Sequence, residues 1–199
     1  EKGWVGQCLY RLVRNPVFLF GVVPFYTFFL QNRLPVGLMR SGWRYWLSAL
    51  ATNAAIAAVL ATLVWLGGWQ VVLFVFLPTM LLAAMAGMWF FYVQHQFEET
   101  SWRREEDWNI QVAALEGSSH YALPGILRWI TGNIGIHHVH HLASRIPFYR
   151  LPEVLRDHEI LANTRRLTLR DSLHCATLAL WDERDRRLVS FAEARRLAA

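Results

Sequence analysis

The feature that most constrains the fold of this chain is a long stretch without charged residues. From Tyr45 to Gln94 there is no Asp, Glu, Lys or Arg. One helix needs roughly 20 apolar residues to cross the hydrocarbon core of a membrane, so a stretch of about fifty suits two crossings. Gly67-Gly68 interrupts the stretch. We therefore expect a hairpin of two transmembrane helices, at about 46–66 and 71–93.

The basic residues are concentrated ahead of this stretch. Residues 1–44 contain six Lys and Arg against one Glu, whereas residues 95–199 contain equal numbers of acidic and basic residues. By the positive-inside rule, residues 1–44 are expected in the cytoplasm, and a hairpin returns residues 95–199 to the same side. The net charge of +5 thus indicates membrane topology, and no groove-reading motif accompanies it to suggest a nucleic-acid partner.

The predicted fold class is an all-α integral membrane protein with a cytoplasmic, mainly helical cap. A short apolar helix is expected over 16–30, because Asn15-Pro16 is a typical cap and first helical position. It is too short to cross a membrane and suits an interfacial or re-entrant position. The segment 178–191 has apolar ends around a charged centre, which indicates a small hairpin. The predicted domains are a cytoplasmic or interfacial segment (1–44), the transmembrane pair (45–94) and the cytoplasmic cap and tail (95–199).

The strongest chemical signal is an HxxHH motif formed by His137, His140 and His141. Positions i, i+3 and i+4 of a helix share one face, within about 100° of arc. Three neutral imidazoles on one face can bind a transition metal such as iron, zinc or copper. His138 points away from that face by about a quarter-turn, so it is expected outside the ligand set.

His95, at the end of the second predicted span, is a further candidate ligand. Its alternative interpretation is an ordinary polar residue at the membrane interface. Glu98 and Glu99 follow at i+3 and i+4, and carboxylates often orient a ligating imidazole through its second nitrogen. His120 lies in a turn-like Gly-Ser-Ser-His-Tyr context, which favours a structural polar residue over a ligand.

Several motifs in order along the chain resemble those of membrane fatty acid desaturases, in particular the omega-6 (delta-12) type of bacterial acyl desaturase. HxxHH alone also occurs in membrane hydroxylases, so the ordered series is the more specific feature. The resemblance is densest from 89 to 151. The motifs are Gln94-His95-Gln96-Phe97-Glu98-Glu99-Thr100-Ser101-Trp102, Glu106-Asp107-Trp108, Gly117-Ser118-Ser119, the segment Gly132 to His141, and Arg145-Ile146-Pro147-Phe148-Tyr149.

The resemblance implies a centre of two iron ions held by three histidine boxes at the cytoplasmic face. His137, His140 and His141 match the third box, and His95 lies where the family has an additional histidine at a helix end. No histidine precedes His95. The first two boxes are therefore expected upstream of Glu1, which makes the chain the carboxy-terminal part of a longer protein that cannot complete the metal centre alone.

The function implied by the resemblance is O₂-dependent insertion of a double bond into a fatty acyl chain carried by lipid, CoA or a carrier protein. Electrons are expected from a ferredoxin- or cytochrome-type donor, and the location from a bacterial inner membrane, in contact with lipid. Two alternatives stay open. One is a histidine-box membrane hydroxylase or ketolase, and the other is a non-catalytic membrane module, which the missing boxes favour.

Overall fold

The computed structural model describes residues 3–103, 106 and 108–197 of the chain. Asp107, which belongs to one of the motifs above, lies outside the described residues. The chain is mostly helical. Its contacts divide it into two compact units, Glu1–Trp89 and Phe90–Ala199.

The first unit consists of helices. Asn15 begins the second of them: its side-chain oxygen accepts hydrogen bonds from the amides of Val17 (3.0 Å) and Phe18 (3.4 Å). Such a cap satisfies amides that have no partner within the helix. The helices are α1 (Trp4–Val13), α2 (Phe18–Arg33), α3 (Trp43–Val71) and the first part of α4 (Leu77–His95), with a π-helical turn over Val72–Phe76 before α4.

Helix α2 contains a buried proline, Pro24, and its winding is irregular on both sides of it. Pro24 lacks the amide proton that a regular helix requires, and its ring collides with the preceding turn. Wider π-helical turns at Phe18–Val22 and Tyr26–Leu30 flank it, and π-turns are a known way for a helix to absorb such an irregularity. Together with α1, this helix forms a pair bent by 67°.

Helix α3 is kinked at Gly68. Gly68 has φ 75° and ψ 169°, a conformation that a residue with a side chain rarely adopts. Thr52 and Val59, before this break, line the same apolar cavity of about 300 Å³ as Phe76 and Met80 after it. Residues on both sides of the break therefore line one apolar space, and the predicted hairpin of two transmembrane helices stays a prediction.

The described residues contain one helical stretch, Trp43–His95, that is long and apolar enough to cross a membrane. The bent pair of α1 and α2 would add a second if it acted as a single broken span. The side of the membrane on which each end lies stays a prediction.

The second unit combines short helices with two small sheets, so the all-α prediction is wrong in this detail. The antiparallel pair confirms the small hairpin predicted over 178–191. The parallel pair has two residues in each strand, too few for an alternating pattern to be visible in the sequence. The elements are α5 (Ile110–Glu116), β1 (His120–Tyr121), α6 (Gly125–Ile130), α7 (His137–Leu142), α8 (Leu151–Asp157), α9 (Glu159–Ala162), β2 (Arg166–Leu167), α10 (Leu169–Cys175), β3 (Leu178–Asp182), β4 (Arg187–Ser190) and α11 (Phe191–Leu197).

Helix α7 is held by apolar packing on the side away from its clustered histidines. Ile136 and Val139 are buried against Leu151 of α8 and Leu161 of α9. Since a six-residue helix is not stable by itself in water, this packing keeps α7 helical and gives its histidines fixed directions.

The β3–β4 hairpin holds the end of α4. The Tyr92 hydroxyl donates a buried hydrogen bond of 2.6 Å to the Leu178 carbonyl. Beyond the helix end, the Leu188 amide donates to the Glu98 carbonyl at 2.9 Å. The last turn of α4, which carries His95, is thereby fixed within the second unit.

Candidate metal centre

Three histidine side chains meet with their Nε2 atoms close together. The distances are 3.0 Å between His95 and His137, 3.2 Å between His95 and His141, and 3.1 Å between His137 and His141. Metal–nitrogen bonds are about 2.1 Å long, so two nitrogens bound at right angles to one metal are about 3.0 Å apart. The cluster therefore fits three imidazoles bound to one face of a metal ion.

Two elements of the second unit supply these rings. His95 is the last residue of α4, while His137 and His141 lie one helical turn apart on α7. The i, i+4 spacing places the last two on one face, as the sequence predicts. The structure adds His95 to them from 42 residues earlier in the chain.

The second nitrogen of His95 has a defined partner. Its Nδ1 lies 2.9 Å from the Gly117 carbonyl oxygen at the end of α5. A carbonyl oxygen can only accept a hydrogen bond, so Nδ1 carries the proton of the neutral ring and Nε2 keeps its lone pair. This is the tautomer that a metal requires at Nε2.

Glu98 and Glu99 do not orient His95, contrary to the expectation from their spacing. Glu98 forms an ion pair with Arg187 of β4, and Glu99 forms one with Arg165, each at 2.7 Å. Both residues lie beyond the last helical residue of α4. The i+3 and i+4 geometry on which the expectation relied therefore does not apply to them.

Burial keeps the His137 ring in the form that binds metals. His137 is 7% exposed, and burial, followed by the neighbouring His95 and His141, lowers its pKa to about 3. His141 is more exposed, but the partial burial of its ring, followed by His95, also lowers its pKa. Near neutral pH both imidazoles are uncharged, which metal coordination demands.

His140, the remaining predicted ligand, lies beside the cluster rather than within it. Its ring centroid is 5.7 Å from that of His137 and 5.9 Å from that of His141. Within the described residues, the group whose ring nitrogens all lie within 4.8 Å of one another consists of His95, His137 and His141. The structure thus brings three of the four predicted ligands together and leaves the fourth adjacent.

His138 and His120 lie away from the cluster. His138 is completely buried, and its Nε2 donates to the Leu161 carbonyl at 3.0 Å. It points away from the clustered rings, as its position on the helix predicts. The His120 ring lies 6.0 Å from that of His138. The surroundings of both residues are those of a structural side chain rather than of a metal ligand.

Two residues next to the cluster were not predicted from the sequence. The first is Gly117, which acts through its main-chain carbonyl, a group that every residue possesses. The second is Gln94, whose buried side chain donates to the Ile134 carbonyl at 3.2 Å. Both belong to motifs used for the resemblance, but nothing in the motif spacing indicates a contact with the histidine-bearing elements.

An open cavity of about 450 Å³ lies beside the cluster. Its walls include His95 and His141 together with the side chains of Trp102, Trp108 and Ile110. The polar residues Ser101, Arg103 and Asn109 also line it. A molecule in this cavity would contact both the aromatic wall and two of the clustered rings.

Comparisons with known proteins agree with this site. The model of the Fatty acid desaturase family matches residues 2–171. The chain is 43% identical, over 182 residues, to a Bacillus subtilis (strain 168) protein described as "Fatty acid desaturase". The match covers 92% of this chain and 51% of that protein, so the chain spans about half the length of its relative. No solved structure is significantly similar to it. A family match over most of the chain, around a convergent histidine cluster, shows that the chain belongs to the fatty acid desaturase family.

Proposed function

We propose that this protein is an O₂-dependent desaturase that introduces a double bond into a fatty acyl chain at a non-haem centre of two irons. The observation that carries the proposal is the convergence of the His95, His137 and His141 Nε2 atoms to within 3.2 Å. When bound, iron supplies the activation of O₂ that removal of two hydrogens from an unactivated carbon chain requires.

Each histidine has a distinct part in this proposal. His95, His137 and His141 hold one iron, and His140 completes the set of ligands that this chain contributes. The Gly117 carbonyl keeps the proton of His95 on Nδ1, and burial keeps His137 neutral. Four imidazoles are too few for two irons, and the resemblance implies that two further histidine boxes of the family supply the others.

The cavity beside the cluster supports an acyl chain as the substrate. Burying one CH₂ group contributes about 0.8 kcal/mol, so the part of the wall formed by Trp102, Trp108 and Ile110 favours a hydrocarbon. The polar part, with Ser101, Arg103 and Asn109, suits the polar end of an acyl group. An acyl chain held there would extend toward His95 and His141. The acyl group arrives on lipid, CoA or a carrier protein.

The electron balance requires a donor. Reduction of O₂ to two water molecules takes four electrons and four protons, and the acyl chain provides two of each as it loses two hydrogens. A ferredoxin- or cytochrome-type protein supplies the other two electrons at the cytoplasmic face, and the solvent supplies the other two protons. In this arrangement α3 and α4 cross the bacterial inner membrane. The basic residues before Tyr45 support this orientation.

Product analysis tests the proposal directly. The whole protein is expressed in bacteria, and the membrane fatty acids are analysed by gas chromatography and mass spectrometry. We expect a new double bond, which His141→Ala abolishes and His158→Ala, at an exposed position outside the cluster, preserves. An added hydroxyl group would support the hydroxylase alternative, and unchanged fatty acids would contradict both.

A further inference from the structure

One buried amide, Gln94, joins the two elements that carry the clustered histidines. Gln94 precedes His95 at the end of α4, and it is completely buried. Its Nε2 donates to the carbonyl of Ile134, 40 residues later, at 3.2 Å. Ile134 lies in the turn that leads into α7, three residues before His137. This single hydrogen bond therefore spans the gap between the two ligand-bearing helices.

The main chain of Gln94 fixes a third segment. Its carbonyl accepts hydrogen bonds from both the amide (3.1 Å) and the hydroxyl (3.3 Å) of Ser119. Ser119 follows the Gly117 carbonyl that orients His95. Gln94 thus contacts two segments. Its main chain bonds the segment whose Gly117 carbonyl orients His95, and its side chain bonds the turn that leads into α7.

Packing alone does not favour an amide at this position. Among the described residues, the Gln94 Oε1 atom is buried without a hydrogen-bond partner, and such a group costs about 1–3 kcal/mol. A methionine of nearly the same length would fill the space without that cost. What methionine cannot do is donate a hydrogen bond to Ile134.

We propose that Gln94 is a positioning residue of the metal centre, which sets the separation between His95 and the two clustered histidines of α7. The inference rests on the proposed function, because it requires that these histidines bind metal. Metal–ligand distances tolerate deviations of about 0.2 Å, so a small relative shift of the α4 and α7 ends weakens binding. Substitution of Gln94 should therefore affect metal affinity more than it affects the stability of the fold.

The test measures cobalt binding by the protein as isolated from membranes in detergent. Metal is removed, and Co²⁺ is titrated while its visible absorption reports the coordination. Gln94→Met removes the donor at nearly constant length. Gln96→Met is the matched control, the same substitution at a half-buried residue on the other side of His95. We expect Gln94→Met to weaken Co²⁺ binding about tenfold, the lower end of the loss found when a group bonded directly to a ligand is removed, with an altered absorption spectrum. The melting temperature of the metal-free protein should stay the same or rise, and Gln96→Met should bind Co²⁺ as the unmodified protein does.

A second variant tests the same hydrogen bond, and three results would contradict the inference. Gln94→Asn keeps an amide that is one methylene too short to reach Ile134, so it should show the same loss and serves if the methionine variant does not fold. Unchanged Co²⁺ affinity in both variants would overturn the inference and leave the metal centre intact. If Gln94→Met weakens Co²⁺ binding and also lowers the melting temperature of the metal-free protein, Gln94 has a packing role. That result would also overturn the inference. Failure of the unmodified protein to bind Co²⁺ would overturn the proposed function, and this inference with it.

Discussion

The hydrogen bond from His95 Nδ1 to the Gly117 carbonyl determines which nitrogen of this ring faces the other histidines. The acceptor is neutral, so it selects the tautomer without adding a negative charge beside the cluster. The nearest carboxylates in the sequence, Glu98 and Glu99, are instead paired with Arg187 and Arg165. Because α4 ends at His95, these carboxylates do not lie on its helical face, and a main-chain carbonyl is the second-nitrogen partner of His95.

His141 and His138 should respond differently to alanine substitution, because one is clustered and the other anchors the helix. His141→Ala removes an exposed ring and should reduce bound metal at least about tenfold, with little change in the stability of the metal-free protein. His138→Ala leaves a cavity and removes one of two donors to the Leu161 carbonyl, which keeps its hydrogen bond from the Thr164 hydroxyl. The loss of the buried ring should cost about 2–4 kcal/mol. Metal analysis and chemical denaturation measure the two effects. The same loss of metal in both variants at unchanged stability would contradict this division.

His120 should make the stability of the metal-free protein sensitive to acid. Burial, then His138, Arg166 and Arg128, lower its pKa from 6.5 to about 4. Between these two pH values the unfolded chain binds a proton that the folded chain does not, so the folded state loses stability as the pH falls from 6.5 toward 4. From pH 6.5 to 5 the loss is up to about 2 kcal/mol. Thermal unfolding at several pH values should show a weaker acid dependence in His120→Gln and no such change in His158→Gln. An identical pH dependence in both variants would contradict the assignment.

At the scale of elements, the entry into α7 depends on close contact between two backbone segments. The Tyr121 amide of β1 donates to the Gly135 carbonyl at 2.7 Å. A Cβ atom at position 135 would collide with the Tyr121 carbonyl oxygen. Because both partners belong to the main chain, neither can rotate away as a side chain would. Glycine is therefore needed here for space, two residues before His137.

Gly135→Ala should disturb both the fold and the metal centre. The collision forces β1 and the start of α7 apart, at a cost of about 1–3 kcal/mol in the free energy of unfolding. The displaced His137 should also bind metal more weakly. Gly125→Ala is the control, since nothing lies within 4 Å of the Cβ added there, and it should leave both quantities unchanged. Denaturant unfolding and Co²⁺ titration measure them; a stable, fully binding Gly135→Ala protein would show that the backbone contact has no such role.

At the scale of the whole molecule, the charge distribution predicts the orientation of the hairpin in the membrane. Single cysteines at Trp69→Cys and Ile110→Cys, both at exposed positions, test it in a protein whose Cys8 and Cys175 are replaced by alanine. A membrane-impermeant maleimide added to intact cells should label position 69 and not position 110. Trp69 is preferred to Gly68 because the positive φ of Gly68 disfavours a side chain. Labelling of position 110 from outside would reverse the predicted topology.

The number of imidazoles in this chain predicts its metal content when it is expressed by itself. Three clustered histidines and the adjacent His140 can hold one metal, but they leave a second iron largely to water. We expect the 199-residue chain in membranes to retain clearly fewer than two irons per chain. With excess electron donor and O₂ it should form no unsaturated product. Iron analysis and fatty-acid chromatography measure this, and two irons with turnover would prove the expectation wrong.

The sequence by itself determined the features that depend on near neighbours. A charge-free stretch divided by Gly67-Gly68 indicates two helices and a reversal, because the hydrophobic pattern and the glycine conformations are local properties. The spacing of His137 and His141 places them on one face of any α-helix. The small hairpin in the tail was indicated by apolar ends around a charged centre. The ordered motifs were sufficient to indicate the family.

Only the tertiary structure decided which groups complete the site. His95 reaches His137 across 42 residues, and its orienting carbonyl at Gly117 lies 22 residues away. Such contacts depend on how α4, α5 and α7 pack together, which is set by burial of the whole core rather than by any one segment. For the same reason Glu98 is paired with Arg187, and Gln94 bridges two elements that no spacing rule connects. Local spacing sets the direction of a side chain along its helix, and packing alone sets what that side chain meets.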